Sequence, residues 1–197
     1  MKNKITLIAL LFLSFSAISQ DKKFSIDVNY PLSLDSNDFQ KITGVIDASF
    51  KYRFKETDVM KIGVSYTFDL LKDKIEFDTS SSDLDGNYTF HHLGVFGEFK
   101  LNSNEKLHPF VGIGYSMLSS ENEFMYVDPM GGVETRKEKT NDSGLNLNFG
   151  VTYDISSQFF IQTYFHYIRI YKTSIVDEDE KSGVNYNQLK LGVGYRF

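Results

Sequence analysis

Ile42-Thr43-Gly44-Val45-Ile46-Asp47-Ala48-Ser49-Phe50-Lys51-Tyr52-Arg53-Phe54 is the stretch that decides the fold. Its even positions run Ile, Gly, Ile, Ala, Phe, Tyr, Phe, while its odd positions turn polar and charged from Asp47 onward. Successive side chains of a β-strand point to opposite faces, so a period of two describes a strand with one apolar and one mostly polar face. After the polar break Lys55-Glu56-Thr57-Asp58 the alternation resumes, with Met60, Ile62, Val64, Tyr66, Phe68 and Leu70 against Lys61, Gly63, Ser65, Thr67 and Asp69. Two such runs across a short polar turn predict a hairpin.

Working outward, the same pattern marks Phe24–Tyr30, Leu93–Phe99, Val111–Met117, Leu145–Tyr153, Phe159–Tyr167 and Leu189–Phe197. Eight strands are expected, and no segment has the period of an amphipathic helix. The connections Pro31–Lys41, Lys72–Asn87, Ser120–Ser143 and Lys172–Asn185 are long; Lys55–Asp58, Asn102–Lys106 and Ser156–Gln158 are short, and the two kinds alternate strictly. An all-β, eight-stranded antiparallel up-and-down barrel across a bacterial outer membrane has this form, with short periplasmic turns and long extracellular loops.

The polar face decides which side meets lipid. Its acids Asp27, Asp47, Asp69, Glu98 and Asp154 nearly balance its bases Lys51, Arg53, Lys61, Lys100, Lys190 and Arg196, as expected of charges that pair across a narrow lumen. Gly63, Gly94, Gly112, Gly114, Gly150, Gly192 and Gly194 share that face with bulky Phe96, Phe110 and Tyr164, the small-and-large filling of an eight-stranded interior. The apolar face carries Tyr or Phe at many strand ends, which reads as girdles at the two membrane interfaces. Mixed charge also suits the solvated outer face of a soluble exported barrel, a lipocalin-like binder of a small apolar ligand, so that reading stays open.

Lys2 and Lys4, the apolar run Ile5–Leu13 and the small residues Ala17 and Ser19 have the order of a secretory signal peptide, with cleavage expected after Ser19 and the barrel domain spanning 20–197. Loss of both lysines moves the net charge from −5 to −7. An acidic balance argues against nucleic-acid binding, and the absence of cysteine excludes disulfides, thiolate metal sites and a Cys nucleophile. The mean hydropathy of −0.27 describes a soluble domain, while 15% aromatics do not.

The final Leu189-x-Leu191-x-Val193-x-Tyr195-x-Phe197 resembles the C-terminal signal read by the barrel-assembly machinery, and Pro109-Phe110-Val111-Gly112-Ile113-Gly114-Tyr115 is similar to a common strand of small outer membrane barrels. The chain thus resembles the OmpA transmembrane-domain/OmpX-like group within the outer membrane protein β-barrel domain family. The resemblance implies an integral, monomeric outer membrane protein without a cofactor, in contact with outer membrane lipid and lipopolysaccharide and with the assembly machinery during biogenesis. Trp, usual in the girdles, is absent, and no peptidoglycan-binding domain follows Phe197.

Some barrels of this size modify lipid A, which requires a Ser beside a His base. No histidine here has a Ser two residues after it, so no catalytic residue is assigned unless a neighbouring strand supplies the Ser. His91 and His92 point to opposite faces, and Asp83-Leu84-Asp85-Gly86 lacks the closing acid of a calcium loop, so no metal ligand is assigned either. The four long connections together carry −9, including Asp177-Glu178-Asp179-Glu180. Such loops solubilise the outer face or hold divalent cations that bridge to lipopolysaccharide. Phe124, Met125, Tyr126, Val127 and Met130 in the longest one are the expected contact residues for an extracellular ligand, on a hairpin protruding around Pro129-Met130-Gly131-Gly132.

Overall fold

The computed structural model describes residues 22–34, 40–75, 84–101, 103–127, 132–173 and 181–197. The alternating runs form β1 (Phe24–Ser33), β2 (Gln40–Glu56), β3 (Met60–Ile75), β4 (Leu84–Phe99), β5 (Leu107–Val127), β6 (Val133–Asp154), β7 (Phe159–Thr173) and β8 (Lys181–Arg196). Each strand pairs antiparallel with the next, and β1 closes onto β8 from Ser25↔Arg196 to Ser33↔Gln188. Closure gives each strand a partner on both sides and leaves no edge strand, as a lipid environment demands. No helix among the described residues is long and apolar enough to cross a membrane; strands do the crossing.

The short turns gather at one end together with the start of β1 and the end of β8, where Phe24 N donates to Phe197 O at 3.2 Å and Phe197 N to Phe24 O at 3.0 Å. Side chains fix these turns: Thr57 Oγ1 accepts from Met60 N at 3.1 Å, and Ser156 Oγ accepts from Phe159 N at 2.9 Å. The outer face is apolar, with Val28, Leu93, Val95, Ile113, Leu147, Leu191 and Val193 all exposed. Such an exterior fits lipid and excludes the soluble lipocalin-like alternative.

Three sequence expectations change. The alternation through Ile42–Phe54 is not continuous: a bulge between Gly44 and Ile46 puts Val45 and Ile46 side by side on the outer face and turns Ile42 inward. A Cβ on Gly44 would lie 1.7 Å from the Pro31 carbonyl oxygen, so only glycine lets β2 approach β1 there. Secondly, the strands outrun their membrane portions, and much of Pro31–Lys41, Lys72–Asn87 and Lys172–Asn185 is strand. Beyond the bilayer both faces meet water, so pairing continues without the hydrophobic alternation that marks it in sequence. Thirdly, Ser120–Ser143 is chiefly paired ribbon, in register from Ser120↔Thr140 to Val127↔Val133. Residues 128–131 lie outside the described residues, as do residues 1–21 with the expected signal peptide, Asp83 and the acidic run 177–180.

Candidate functional site: the lumen and the surface ribbon

The lumen is filled in layers, each set by inward positions of several strands. Nearest the short turns, Arg53 of β2 reaches Glu98 of β4 at 2.8 Å, and Arg196 of β8 bridges Glu98 at 3.6 Å and also pairs with Asp154. His108 Nε2 lies 2.9 Å from Asp154. The guanidinium of Arg196 stands over the Phe160 ring at 4.7 Å, and that of Arg53 over Phe96 at 5.6 Å. Space for these rings comes from glycine: a Cβ on Gly194 would lie 2.1 Å from Phe160 Cζ.

Above this, Lys190 is fully buried and its Nζ donates to Asp47 at 2.5 Å and to Asp69 at 2.9 Å. Lys51 pairs with Asp27 at 3.0 Å. Neutral side chains join the two pairs: Asn29 Nδ2 donates to Asp27 and Asp47 at 2.8 and 2.6 Å, and Gln162 Nε2 donates to Asp27 at 2.8 Å. Buried charges persist only where partners and hydrogen bonds replace water, and this network supplies both.

Next comes a histidine layer. His92 Nδ1 lies 2.7 Å from Ser116 Oγ, which also accepts from Asn146 Nδ2 at 2.8 Å. His92 and His166 meet edge to face at 4.7 Å. Over this layer sits an apolar plug of Leu71, Tyr88, Phe90, Leu118, Ile168, Ile170 and Tyr186, against which Ile42 and Val184 pack. Phe90, Ile168 and Ile170 are completely buried, so the plug packs tightly between the histidine layer and the long connections.

Asp27, Asp47, Asp69, Arg53, Glu98, Lys190 and Arg196 are buried inside the ring of strands, with Lys51 and Asp154 at its less buried margins. Lys61 and Lys100 do not join them: both turn to Glu56 at the rim, at 4.0 and 2.6 Å. There, outside the membrane span, the Lys100 hydrogen bond holds the Glu56 carboxyl below its ordinary value. Asn29, His92, His166, Gln162 and Gln188 are buried on the same inward parity, and only their lack of a fixed charge separates them in the sequence from the charged set.

His91 and His92 do face opposite sides, His91 bonding Tyr66 OH at 2.8 Å on the outer surface. A His–Ser pair across adjacent strands exists in His92 and Ser116, yet both are buried in the lumen beneath the plug. The Ser116 hydroxyl is fully enclosed. Of the terminal residues, Leu189, Leu191 and Val193 project outward, whereas Phe197 is only 7% exposed because Phe24 and Tyr195 cover it, each with ring centroids 6.1 Å away.

The β5–β6 ribbon stands apart. β4 accompanies it as far as Gly86↔Asn122, and β7 leaves at Ser143↔Tyr171, so among the described residues Glu123–Val127 pairs with Val133–Lys137 alone. Its faces carry Lys137 at 3.0 Å from Glu123, and Arg136 stacked 3.7 Å over Tyr126. The Glu123 carboxylate raises the Lys137 ammonium above its ordinary value. Phe124 is exposed; the side chains of Met125 and Val127, and all of Met130, lie outside the described residues.

An apolar exterior, a packed interior and eight strands closed in sequence order define an integral outer membrane β-barrel. The chain belongs to the family of the outer membrane protein β-barrel domain, whose model matches residues 5–197, and it is an outer membrane protein. No curated protein sequence matches it significantly. Among solved structures, the attachment invasion locus protein Ail of Yersinia pestis is 16% identical, with 88% of this chain and 97% of that one covered and a TM-score of 0.51. Neisserial surface protein A is 15% identical over 89% of this chain and 97% of that one, with a TM-score of 0.50. The outer membrane protease OmpT of Escherichia coli is 10% identical over 89% and 94%, also with a TM-score of 0.50. At these identities the likeness is one of fold.

Proposed function

We propose that the protein is a non-enzymatic, non-conducting barrel that acts at the cell surface through its β5–β6 ribbon, after a leader is removed behind Ser19. The observation that carries this reading is the contrast between a lumen packed with Phe90, Ile168 and Ile170 and a ribbon that continues past both neighbouring strands. Five residue pairs beyond the last β4 contact extend it by about 17 Å at the usual strand rise. Its two backbone edges, unpaired among the described residues, can accept a partner strand, and its charged faces oppose unspecific pairing. The monomer sits in outer membrane lipid among lipopolysaccharide, and Leu189, Leu191, Val193, Tyr195 and Phe197 address it to the assembly machinery. Ser116 is fully enclosed, so Ser116→Ala is expected to leave lipid A unchanged.

The test is to replace residues 121–139 by a two-residue turn. The trimmed barrel is expected to remain heat-modifiable in detergent gels while cells bearing it match cells lacking the protein in adherence and detergent sensitivity. Cells that instead match the wild type would place the role in the barrel and overturn the ribbon reading.

A further inference from the structure

The histidine layer holds a set of buried polar atoms that the protein itself does not satisfy. Among the described residues, neither ring nitrogen of His166 has a hydrogen-bond partner, nor do His92 Nε2, Asp69 Oδ1 and both amide atoms of Gln188. Asp69, His92, His166 and Gln188 are all at least nine-tenths buried. Orphaned atoms also occur in the Arg53–Glu98 layer, where those side chains are held in ion pairs, but the side chains of His166 and Gln188 have neither a hydrogen bond nor an ion pair among the described residues. Buried polar groups are almost always paired, so this layer marks a place where something else supplies the partners.

Three of these side chains converge from different strands. Asp69 on β3, His92 on β4 and His166 across the lumen on β7 each present one ligand atom, all within 4.8 Å of one another. His92 Nε2 lies 3.9 Å from Asp69 Oδ2. From this arrangement we infer that Asp69, His92 and His166 form a binding site for a divalent transition-metal ion of the zinc class. Two imidazoles with one carboxylate suit such an ion and not the all-oxygen shells of calcium or magnesium. Bonds of about 2.1 Å require ligand atoms roughly 3.4 Å apart, so the side chains close in by about an ångström on binding.

Second contacts fit the assignment. Ser116 Oγ, itself held by Asn146, engages His92 Nδ1 at 2.7 Å and leaves Nε2 as the ligating nitrogen. Lys190 donates to Asp69 Oδ2 at 2.9 Å, the same oxygen that faces His92 Nε2, while Oδ1 has no partner, so the carboxylate has one oxygen for the lysine and a second for the ion once it turns. A lysine this near opposes a cation, but the surrounding network is acidic: Asp27, Asp47 and Asp69 face only Lys51 and Lys190. The excess carboxylate offsets part of the added charge. Gln188, in register with His166, stands next to the site as an additional oxygen donor.

The site lies between the plug and the Arg53–Glu98 layer, so the ion enters as the barrel closes. The test folds the chain from urea into detergent micelles with Zn2+, removes free ion by gel filtration and counts metal by mass spectrometry. About one Zn2+ per folded wild-type chain is expected, falling at least tenfold in His92→Gln and His166→Gln and unchanged in the outward-facing His91→Gln. Wild-type protein with under a tenth of an ion per chain overturns the inference, as does retention of the metal by both lumen variants. Should the lumen variants not fold, wild-type chain folded with Co2+ decides: visible bands of nitrogen ligation support the site, and the spectrum of the hydrated ion overturns it.

Discussion

The two halves of the lumen solve one packing problem by opposite chemistry. Toward the short turns the interior is charged, with Arg53, Glu98, Asp154, Arg196, Lys190, Asp47 and Asp69 meeting partner to partner. Toward the long connections it is apolar, built of Leu71, Phe90, Leu118, Ile168 and Ile170. Both halves arise from the same inward parity on the same strands. The difference teaches that the inside of a membrane barrel is not defined by polarity. The lower half obtains its specificity from charge pairing, and the upper half excludes water.

That comparison can be broken at either half. The largest effect is expected from Lys190→Met, which leaves Asp47 and Asp69 buried without their cation; about 3–5 kcal/mol of stability is lost, read as a lower urea midpoint by circular dichroism. Phe90→Ala opens a cavity in the plug and is expected to cost about 3 kcal/mol in the same assay while leaving the charge network intact. Equal midpoints for Phe90→Ala and wild type would mean that the plug is not packed. Gly194→Ala places a methyl against Phe160 beside Arg196 and should cost about 1–3 kcal/mol by overpacking.

The smallest effect belongs to the rim. Glu56 is held below its ordinary value by Lys100, so its contribution is present above the ordinary carboxylate range and is lost as pH falls through the depressed folded value. Glu56→Gln is expected to lower stability by about 0.5 kcal/mol or less at neutral pH, since the pair is exposed to solvent. The gap between variant and wild type should close in acid; a gap that persists there would remove Lys100 as the cause.

Much of this was legible in the sequence for a physical reason. In the membrane one face must be apolar, so the alternation in Met60–Leu70 and Leu189–Phe197 is imposed by lipid and survives in the residue order. It fails where lipid no longer imposes it. The ribbon past Ser120 is held by backbone pairing with water on both faces, and the plug residues Leu71, Phe90 and Leu118 are apolar on the inward parity, which the rule assigns to polar groups. The bulge at Gly44 depends on the approach of Pro31 from another strand and has no local signature beyond the glycine. The histidine layer was readable by parity but not by proximity, since His92 and His166 meet only when β4 and β7 face each other across a closed ring.

Conductance across planar lipid bilayers tests the sealed lumen most directly. Folded wild-type protein inserted at high copy number is expected to leave the membrane without discrete current steps. Reproducible steps from the heat-modifiable, folded form would contradict a lumen closed by paired charge below and the Phe90 plug above.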